Sequence, residues 1–184
     1  MLVRMRRSNA VTYGILGAVA LLALGTYYAN PYHTPSQDWR ARIVGFTIYR
    51  CPSRSMEPTV KFGDIFAVNV ATLRARDPRI GEIIIFKYPP NPDVAYIKRV
   101  VATGGSAVEL RAGYLFVDGK PINEPYITAA ARAGDSGGDF SAFVVPAGSF
   151  FVLGDNRHDS ADSRIFGPVP RELVIGTYAR FPGT

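Results

Sequence analysis

The chain has 184 residues, 47% of them hydrophobic and 20% charged, which suits one modest domain and excludes a wholly disordered chain. Its 18 glycines and 14 prolines follow no repeating period, which argues against an all-helical bundle and against collagen. The single cysteine excludes an intramolecular disulfide and a multi-cysteine zinc site, and a net charge of +6 is too small to indicate nucleic-acid binding.

The first predicted element is a charge-free segment of twenty residues, Ala10–Ala29. As a helix it would span about 30 Å, the thickness of the hydrocarbon core of a bilayer, so the sequence predicts a transmembrane anchor. A cleaved secretory signal is the alternative, but the apolar run exceeds the usual length of about 7–15 residues, and the tyrosines at its end do not suit a processing enzyme.

The flanks of this segment predict its orientation. Arg4, Arg6 and Arg7 precede it with no acidic residue nearby, and basic flanks stay in the cytoplasm. We therefore expect a single-pass protein with its N-terminus inside and its soluble part outside. The expected parts are a cytoplasmic tail over 1–9, the anchor over 10–29, a linker with two prolines over 30–38 and an extracytoplasmic domain over 39–184.

Short β-type runs separated by turns dominate the predicted soluble domain. They cover residues 43–50, 64–69, 82–87, 94–101, 107–110, 114–117, 142–145, 150–153 and 178–181. Asp118-Gly119 is typical of a hairpin turn. One short helix is predicted over 171–175 and a Gly/Ala/Ser-rich loop over 129–141. The predicted fold class is mainly β: an antiparallel sheet or barrel-like domain behind one N-terminal transmembrane helix.

Two segments carry residues that could do chemistry. In residues 52–59, Ser53 and Ser55 bracket an arginine between prolines that exclude regular structure, and a serine there can attack a substrate if a base activates it. In residues 96–101, strand alternation puts Lys98 and Arg99 on opposite faces. A lysine desolvated by apolar neighbours has a lowered pKa and can act as a base, although a lysine with a packed stem and a solvated head is the alternative.

A third segment, residues 154–167, is a dense polar run that by itself indicates a loop held by Asx turns and Asp–Arg pairs. Together and in this order, the three segments resemble bacterial type I signal peptidases, the Ser/Lys membrane proteases that remove export signals. The matching elements are S-M-x-P-T at 55–59, G-D-x-x-x-F near 81–86 with Glu82 for Asp, Y-x-K-R-V at 96–100, a hairpin at 117–126 and the complete G-D-N-x-x-x-S-x-D-S-R-x-x-G at 154–167.

The resemblance covers about residues 45–170 and implies a role for each matching residue. It implies Ser55 as nucleophile, Lys98 as general base and Ser160 as the group that orients the lysine amine. It also implies that Ser53 and the Ser55 backbone N–H hold the oxyanion. Asp155, Asp162 and Arg164 would support the loop that carries Ser160. The residues implied to line the substrate cleft are Tyr49, Cys51, Met56, Val60, Tyr96 and Ile97.

The implied function is removal of signal peptides from exported preproteins, after an A-x-A-like site, through an acyl-enzyme. The expected partners are secretory preproteins and the lipid bilayer, with no nucleic acid. The expected location is the bacterial cytoplasmic membrane, with the catalytic domain on its outer face. We expect no metal and no organic cofactor. After Val101 the sequence departs from the family's usual G-x-P-G-D, which leaves the turn beyond the lysine strand open.

Several alternatives remain at this stage. His158 could pair with a serine, and Cys51 could be the nucleophile, although no histidine is placed to activate it. A relative that matures conjugative pilins uses the same Ser/Lys pair but tends to carry S-I-P-x-G at the serine. A non-catalytic, membrane-tethered module that binds peptides is a candidate of another class. A basic domain that binds anionic lipid or nucleic acid would depend only on the net charge.

Overall fold

The structure is mainly antiparallel β-sheet behind one long N-terminal helix, which confirms the predicted fold class. This computed structural model describes residues 2–128 and 138–181, with side chains from residue 10 onward. Residues 129–137 of the predicted loop and the side chains of Arg4, Arg6 and Arg7 therefore lie outside the described residues.

The elements follow one another through short connections. The helices are α1 (Leu2–Ala29), α2 (Trp39–Ile43), α3 (Thr72–Ala75) and α4 (Ser163–Phe166), with a short 3₁₀ helix at Arg171–Leu173. The strands are β1 (Phe46–Arg50), β2 (Ile65–Asn69), β3 (Ile83–Tyr88), β4 (Asn91–Thr103), β5 (Ala107–Arg111), β6 (Tyr114–Val117), β7 (Lys120–Pro121), β8 (Phe140–Val144), β9 (Ser149–Leu153), β10 (Val169–Pro170) and β11 (Val174–Ala179).

Helix α1 contains the apolar segment Ala10–Ala29, which is long enough to cross a membrane and is not buried against the rest of the protein. The segment that follows, predicted as a linker over 30–38, contacts both the helix and the sheet. Tyr27 Oη donates to Gln37 Oε1 at 3.2 Å, and Thr34 Oγ1 donates to the Ile175 carbonyl at 3.3 Å. Asp38 caps α2 by accepting from the Arg40 N–H at 2.9 Å. Hydrogen bonds thus tie the helix to the domain.

Two antiparallel sheets build the domain. The larger has seven strands in the order β1-β2-β11-β3-β4-β9-β10, and the smaller has four in the order β7-β6-β5-β8. Strand β4 is the longest and lies near the middle of the larger sheet, where it pairs with β3 on one side and with β9 on the other. The β9 pairing begins only at Arg99, so the earlier part of β4 keeps one edge open.

Hydrophobic side chains cover the larger sheet in separate clusters. One cluster joins β1, β2 and the chain after β1, and it contains Cys51, Met56, Val60, Phe66, Val68, Ile85, Ile97 and Ile175. Another contains Ile84, Phe86, Val100, Val152, Val169 and Val174. A third connects the two sheets through Val101, Val108, Leu110, Leu115, Phe151 and Leu153. Tyr96 and Val100 pack in the second cluster, whereas Ile97 lies in the first and Val101 in the third, so the alternation predicted over 96–101 is present.

The chain departs from the predicted boundaries at its last strand. The predicted helix over 171–175 is a 3₁₀ helix that ends at Leu173, and β11 begins at Val174 rather than at 178. Gly176 concealed this strand, since glycine is a poor strand former. A Cβ at Gly176 would lie 2.6 Å from Val68 Cγ1, so the close approach of β11 to β2 requires glycine there.

Two other predicted runs shift by a few residues. The run over 43–50 divides, because Ile43 ends α2 and the strand begins at Phe46 after Gly45, whose φ of 82° makes the turn. The run over 142–145 is β8, which begins earlier, at Phe140, and ends at Val144.

Candidate active site

Ser55 lies in the serine loop, residues 51–60, which connects β1 to β2 without regular structure. Backbone hydrogen bonds close its turns: the Glu57 N–H donates to the Arg54 carbonyl at 3.0 Å, and the Val60 N–H to the Met56 carbonyl at 2.9 Å. The Met56 and Val60 side chains are fully buried in the core. Packing of these two side chains in the core therefore fixes the loop. Ser55, in the same loop, has only 5% of its surface exposed.

Lys98 extends from β4 toward this loop. Its Nζ donates to Ser55 Oγ at 2.7 Å and to the Ile97 carbonyl at 2.9 Å. The two residues are 43 positions apart in the chain, and pairing of β4 with β3 puts Lys98 opposite Ile84. Only 3% of the Lys98 surface is exposed, and within 2–128 and 138–181 no carboxylate forms a salt bridge with it.

Burial sets the protonation of this amine. Removal of water lowers the pKa of Lys98 from 10.5 to about 8, and the more distant charge of Asp162 opposes this only in part. About a tenth of the amine is therefore neutral at pH 7, and about half at pH 8. In that state the 2.7 Å contact lets the Ser55 hydroxyl donate its proton to the amine lone pair, which is the geometry a general base requires.

A second hydroxyl lies beside the first. Ser53 Oγ is 3.1 Å from Ser55 Oγ, and either can donate to the other. Among the described hydrogen bonds, the Ser55 backbone N–H has no acceptor. A hydroxyl donor and an amide donor therefore lie next to Ser55 Oγ.

Asp155 belongs to the aspartate loop, residues 154–162, and joins three parts of the site. Its carboxylate accepts from Arg99 Nε at 2.8 Å and from Arg99 Nη2 at 2.6 Å, and it accepts from Thr59 Oγ1 at 2.5 Å. Arg99 Nη1 also donates to the Gly81 carbonyl at 2.7 Å. Buried, bidentate pairs of this kind fix geometry well. Asp155 therefore connects the strand that carries Lys98 to the end of the serine loop.

Asp162 organises the other end of the aspartate loop. It accepts from Ser160 Oγ at 2.7 Å, from the Gly154 N–H at 3.0 Å and from Arg164 Nε at 2.9 Å, and it is fully buried. Since Ser160 donates its only hydroxyl proton to Asp162, its oxygen can act toward other groups only as an acceptor. The described hydrogen bonds include none between Ser160 and Lys98, so the lysine-orienting role of Ser160 stays a prediction.

The two loops approach each other closely at Gly154. A Cβ at this position would lie 2.2 Å from Ser160 Oγ and 2.6 Å from the Ser55 carbonyl oxygen. We expect Gly154→Ala to displace both serines and to lower kcat by about 100-fold, since a displacement near 1 Å can have that cost. Gly17→Ala, at a helical glycine with open space around it, is the matched control. A wild-type kcat for Gly154→Ala would contradict the tight packing of the two loops.

An open cleft of about 270 Å³ leads to the serine. Of the six residues implied to contact substrate, Tyr96 and Ile97 line this cleft. Cys51, Met56 and Val60 are instead buried in the core beneath it, and Tyr49 is half-buried and stacks on Phe66 with ring centroids 6.4 Å apart. The complete lining is Pro52, Ser53, Ser55, Val94, Ala95, Tyr96, Ile97, Lys98, Asp159 and Ala161.

Several residues of the site were not identified from the sequence. Val94 and Ala95 line the cleft because they precede Tyr96 on the open edge of β4, and only the strand pairing reveals that edge. Arg99 was identified only as one of two basic residues, whereas the structure pairs it with Asp155. Glu124 forms a buried ion pair with Arg157 of the aspartate loop. Nothing in the sequence indicated that these two segments are in contact.

The alternative nucleophile and base lie in less suitable places. Cys51 is 1% exposed, and its Sγ donates to the Ser53 carbonyl at 3.2 Å. His158 is exposed on the aspartate loop, and none of its described hydrogen bonds reaches Ser55. No group of three or more His, Cys, Asp or Glu side chains in the described part of the chain is arranged to hold a metal ion.

Comparisons with known proteins agree on one family. The sequence model of a family described as "Signal peptidase, peptidase S26" matches residues 12–181. A probable signal peptidase I-1 of Synechocystis is 37% identical over 132 residues, or 68% of this chain and 65% of that protein. A signal peptidase I of Aquifex aeolicus is 32% identical over 70% of this chain and 72% of its own length. A signal peptidase IB of Staphylococcus aureus is 34% identical over 73% and 78%.

Proposed function

Because this chain belongs to the signal peptidase family, peptidase S26, we propose that it removes signal peptides from exported preproteins by a Ser/Lys mechanism. The observation that carries the proposal is the 2.7 Å contact between Lys98 Nζ and Ser55 Oγ, buried at the end of an open cleft. A lysine with a lowered pKa, directly beside a loop serine, is an arrangement suited to nucleophilic catalysis.

The proposed reaction begins when neutral Lys98 takes the Ser55 proton and Ser55 Oγ bonds to the scissile carbonyl carbon. The oxygen of that carbonyl becomes an oxyanion, which the Ser53 hydroxyl and the Ser55 N–H stabilise, each donor typically contributing about 2.7–4 kcal/mol. Lys98 then gives its proton to the leaving amine as the C–N bond breaks. Water, losing a proton to Lys98, then attacks the acyl carbon. The bond from that carbon to Ser55 Oγ breaks, and Lys98 returns the proton to Ser55, which restores the hydroxyl and the neutral amine.

Ser160 has a place in this scheme as a positioning residue. Its hydroxyl donates to Asp162, so its oxygen can accept a hydrogen from the Lys98 amine and turn the amine lone pair toward Ser55. Asp155, Asp162 and Arg164 support it by holding the aspartate loop to the strand and to the serine loop.

The open edge of β4 supports binding of an extended substrate. Val94 to Lys98 line the cleft and have no strand partner on the β9 side, so a peptide could pair with this edge and bring its carbonyl to Ser55. A cleft of about 270 Å³ leaves room for small side chains beside a peptide backbone. The resemblance to signal peptidases implies a preference for small residues at the first and third positions before the cut, as in A-x-A, and a cleft of this size can accept them.

The N-terminal helix is long and apolar enough to anchor the chain in a membrane. We propose that this is the bacterial cytoplasmic membrane, with the arginine-rich tail inside and the cleft outside, because basic flanks stay in the cytoplasm. Anchoring there raises the effective concentration of the site near emerging preproteins.

The test is cleavage of a preprotein by the full chain in lipid vesicles. We expect one cut after an A-x-A site, identified by the N-terminal sequence of the product, and a loss of cutting when the alanine before the cut is replaced by phenylalanine. Ser55→Ala provides the inactive control. Equal cutting of the alanine and phenylalanine substrates would contradict the small-residue preference, and cutting by Ser55→Ala would contradict the mechanism.

A further inference from the structure

One segment that follows the smaller sheet in the chain extends to the site. After β7 the chain runs through residues 122–127, and two of its side chains, Glu124 and Tyr126, reach groups that hold the proposed catalytic residues. Neither belongs to the larger sheet, which carries Ser55 and Lys98, and the mechanism described above uses neither of them.

Glu124 binds the aspartate loop directly. Its carboxylate forms an ion pair with Arg157, and the two side chains are 0% and 1% exposed. Arg157 Nε also donates to the Gly154 carbonyl at 3.1 Å, and the Arg157 carbonyl accepts from Arg164 Nη2 at 2.7 Å. Removing two charges from water costs free energy unless hydrogen bonds satisfy both groups. The ion pair by itself is therefore weak evidence of a stabilising role.

Tyr126 binds the strand that carries Lys98. The guanidinium of Arg99 lies 3.9 Å from the centre of the Tyr126 ring, a cation–π contact between a buried arginine and a partly buried ring. Tyr126 Oη donates to Glu124 Oε1 at 2.9 Å, which links the ring to the buried ion pair. Burial and the charge of Glu124 together raise the pKa of Tyr126, so this hydroxyl keeps its proton at any ordinary pH.

These contacts close a circuit around the site. Arg99 holds Asp155, the aspartate loop joins Asp155 to Arg157, Arg157 holds Glu124, and Tyr126 returns from Glu124 to Arg99. Lys98 is the residue directly before Arg99, and so any shift of Arg99 moves the Lys98 backbone. Of the side chains in the circuit, that of Arg99 lies on a strand, and the others lie in the aspartate loop and in the segment after β7.

We propose that Glu124 and Tyr126 are positioning residues for the Ser55–Lys98 pair, acting through Arg157 and Arg99; this inference rests on the proposed function. The smaller sheet therefore has a part in the chemistry: it sets the position of the strand and of the aspartate loop relative to each other. Loss of the circuit should lower kcat and leave KM nearly unchanged, since neither residue lines the cleft.

The circuit should also control the charge of Lys98. The acidic groups that face this amine are Asp155, Asp159 and Asp162 of the aspartate loop, with Cys51 on the serine loop. Without the Tyr126 ring, Arg99 should be held less firmly against Asp155, and water should reach the space that the ring occupied. The charge of Asp155 would then be less fully neutralised. Both changes favour the charged form of the Lys98 amine. The pH at which activity falls should then move upward.

The test compares Tyr126→Leu, Tyr126→Phe and Glu124→Gln with Tyr114→Leu, a control at a half-exposed tyrosine on β6 of the smaller sheet. We expect Tyr126→Leu to lower kcat by about 10- to 100-fold, with KM unchanged and the acidic limb at higher pH. Tyr126→Phe keeps the ring and should lose less, and Glu124→Gln should fall between the two. Tyr114→Leu should match the wild type.

A second readout is independent of activity. The chain has four lysines, so NMR of selectively labelled lysine can follow the Lys98 amine, and its titration should move to higher pH in Tyr126→Leu. If Tyr126→Leu does not fold, the same measurement on Tyr126→Phe and Glu124→Gln decides. If these variants keep the wild-type kcat and the wild-type titration of Lys98 while Ser55→Ala is inactive, the positioning role of Glu124 and Tyr126 is overturned. Full activity of Ser55→Ala would overturn the proposed function instead.

Discussion

Ser55→Ala and Lys98→Met should each lose cleavage by at least about 10⁴-fold, because each removes one partner of a proton transfer that the other cannot perform alone. Met preserves most of the lysine stem, so the core around residue 98 should remain packed. The measurement is single-turnover cleavage of an A-x-A preprotein by the full chain in vesicles. Circular dichroism of each variant verifies that the β-fold is intact.

The double variant distinguishes a working pair from two separate contributions. If the serine and the lysine act as a unit, Ser55→Ala with Lys98→Met should be no slower than either single variant. His158→Ala is the matched control, since His158 is exposed on the aspartate loop, and it should keep wild-type activity. Loss of cleavage in His158→Ala together with its survival in Lys98→Met would instead indicate a Ser–His pair.

The pH profile should show one steep limb on its acidic side. Burial lowers the pKa of Lys98 to about 8, and only the neutral amine can take the Ser55 proton. Activity should therefore fall as the pH drops below about 8, approaching tenfold per pH unit, or about 100-fold by pH 6. The measurement is kcat/KM between pH 5 and pH 9 with the full chain in vesicles.

Removal of a negative charge near Lys98 should shift the pH profile of activity in a defined direction. The Asp159 carboxylate is one of the charges that raise the pKa of Lys98, so Asp159→Asn should move the limb to lower pH. His158→Ala, one position away, removes no negative charge and should leave the limb in place. Activity that stays flat down to pH 5, or a limb near the ordinary lysine value of 10.5, would show that the amine is not the titrating base.

Much of the site could be anticipated because the relevant information is local. A serine between prolines predicts an exposed loop, and strand alternation separates Lys98 from Arg99 before any contact is known. Alternation does not identify the side chain that each of these two residues contacts. Arg99 pairs with Asp155 and Lys98 contacts Ser55, and both partners lie more than 40 residues away in the chain.

The less predictable features depend on close approach between distant segments. Gly176 looks like a strand breaker until β2 is seen against it, and Gly154 is an ordinary loop glycine until Ser160 and Ser55 converge there. Glu124 gave no sign of its buried contact, because a lone glutamate after a hairpin is usually solvated.

The sequence alone predicted a membrane-spanning segment, the β-rich class and the chemical types present in the site, because a charge-free run of twenty residues, a period of two and the order of three motifs are all properties of the chain itself. Only the tertiary structure decided which amine is buried with no salt bridge among the described residues, and how the segment after the smaller sheet reaches the site. Burial and proximity arise from packing between segments far apart in sequence, and they are what lower the pKa of Lys98 and bring it within 2.7 Å of Ser55.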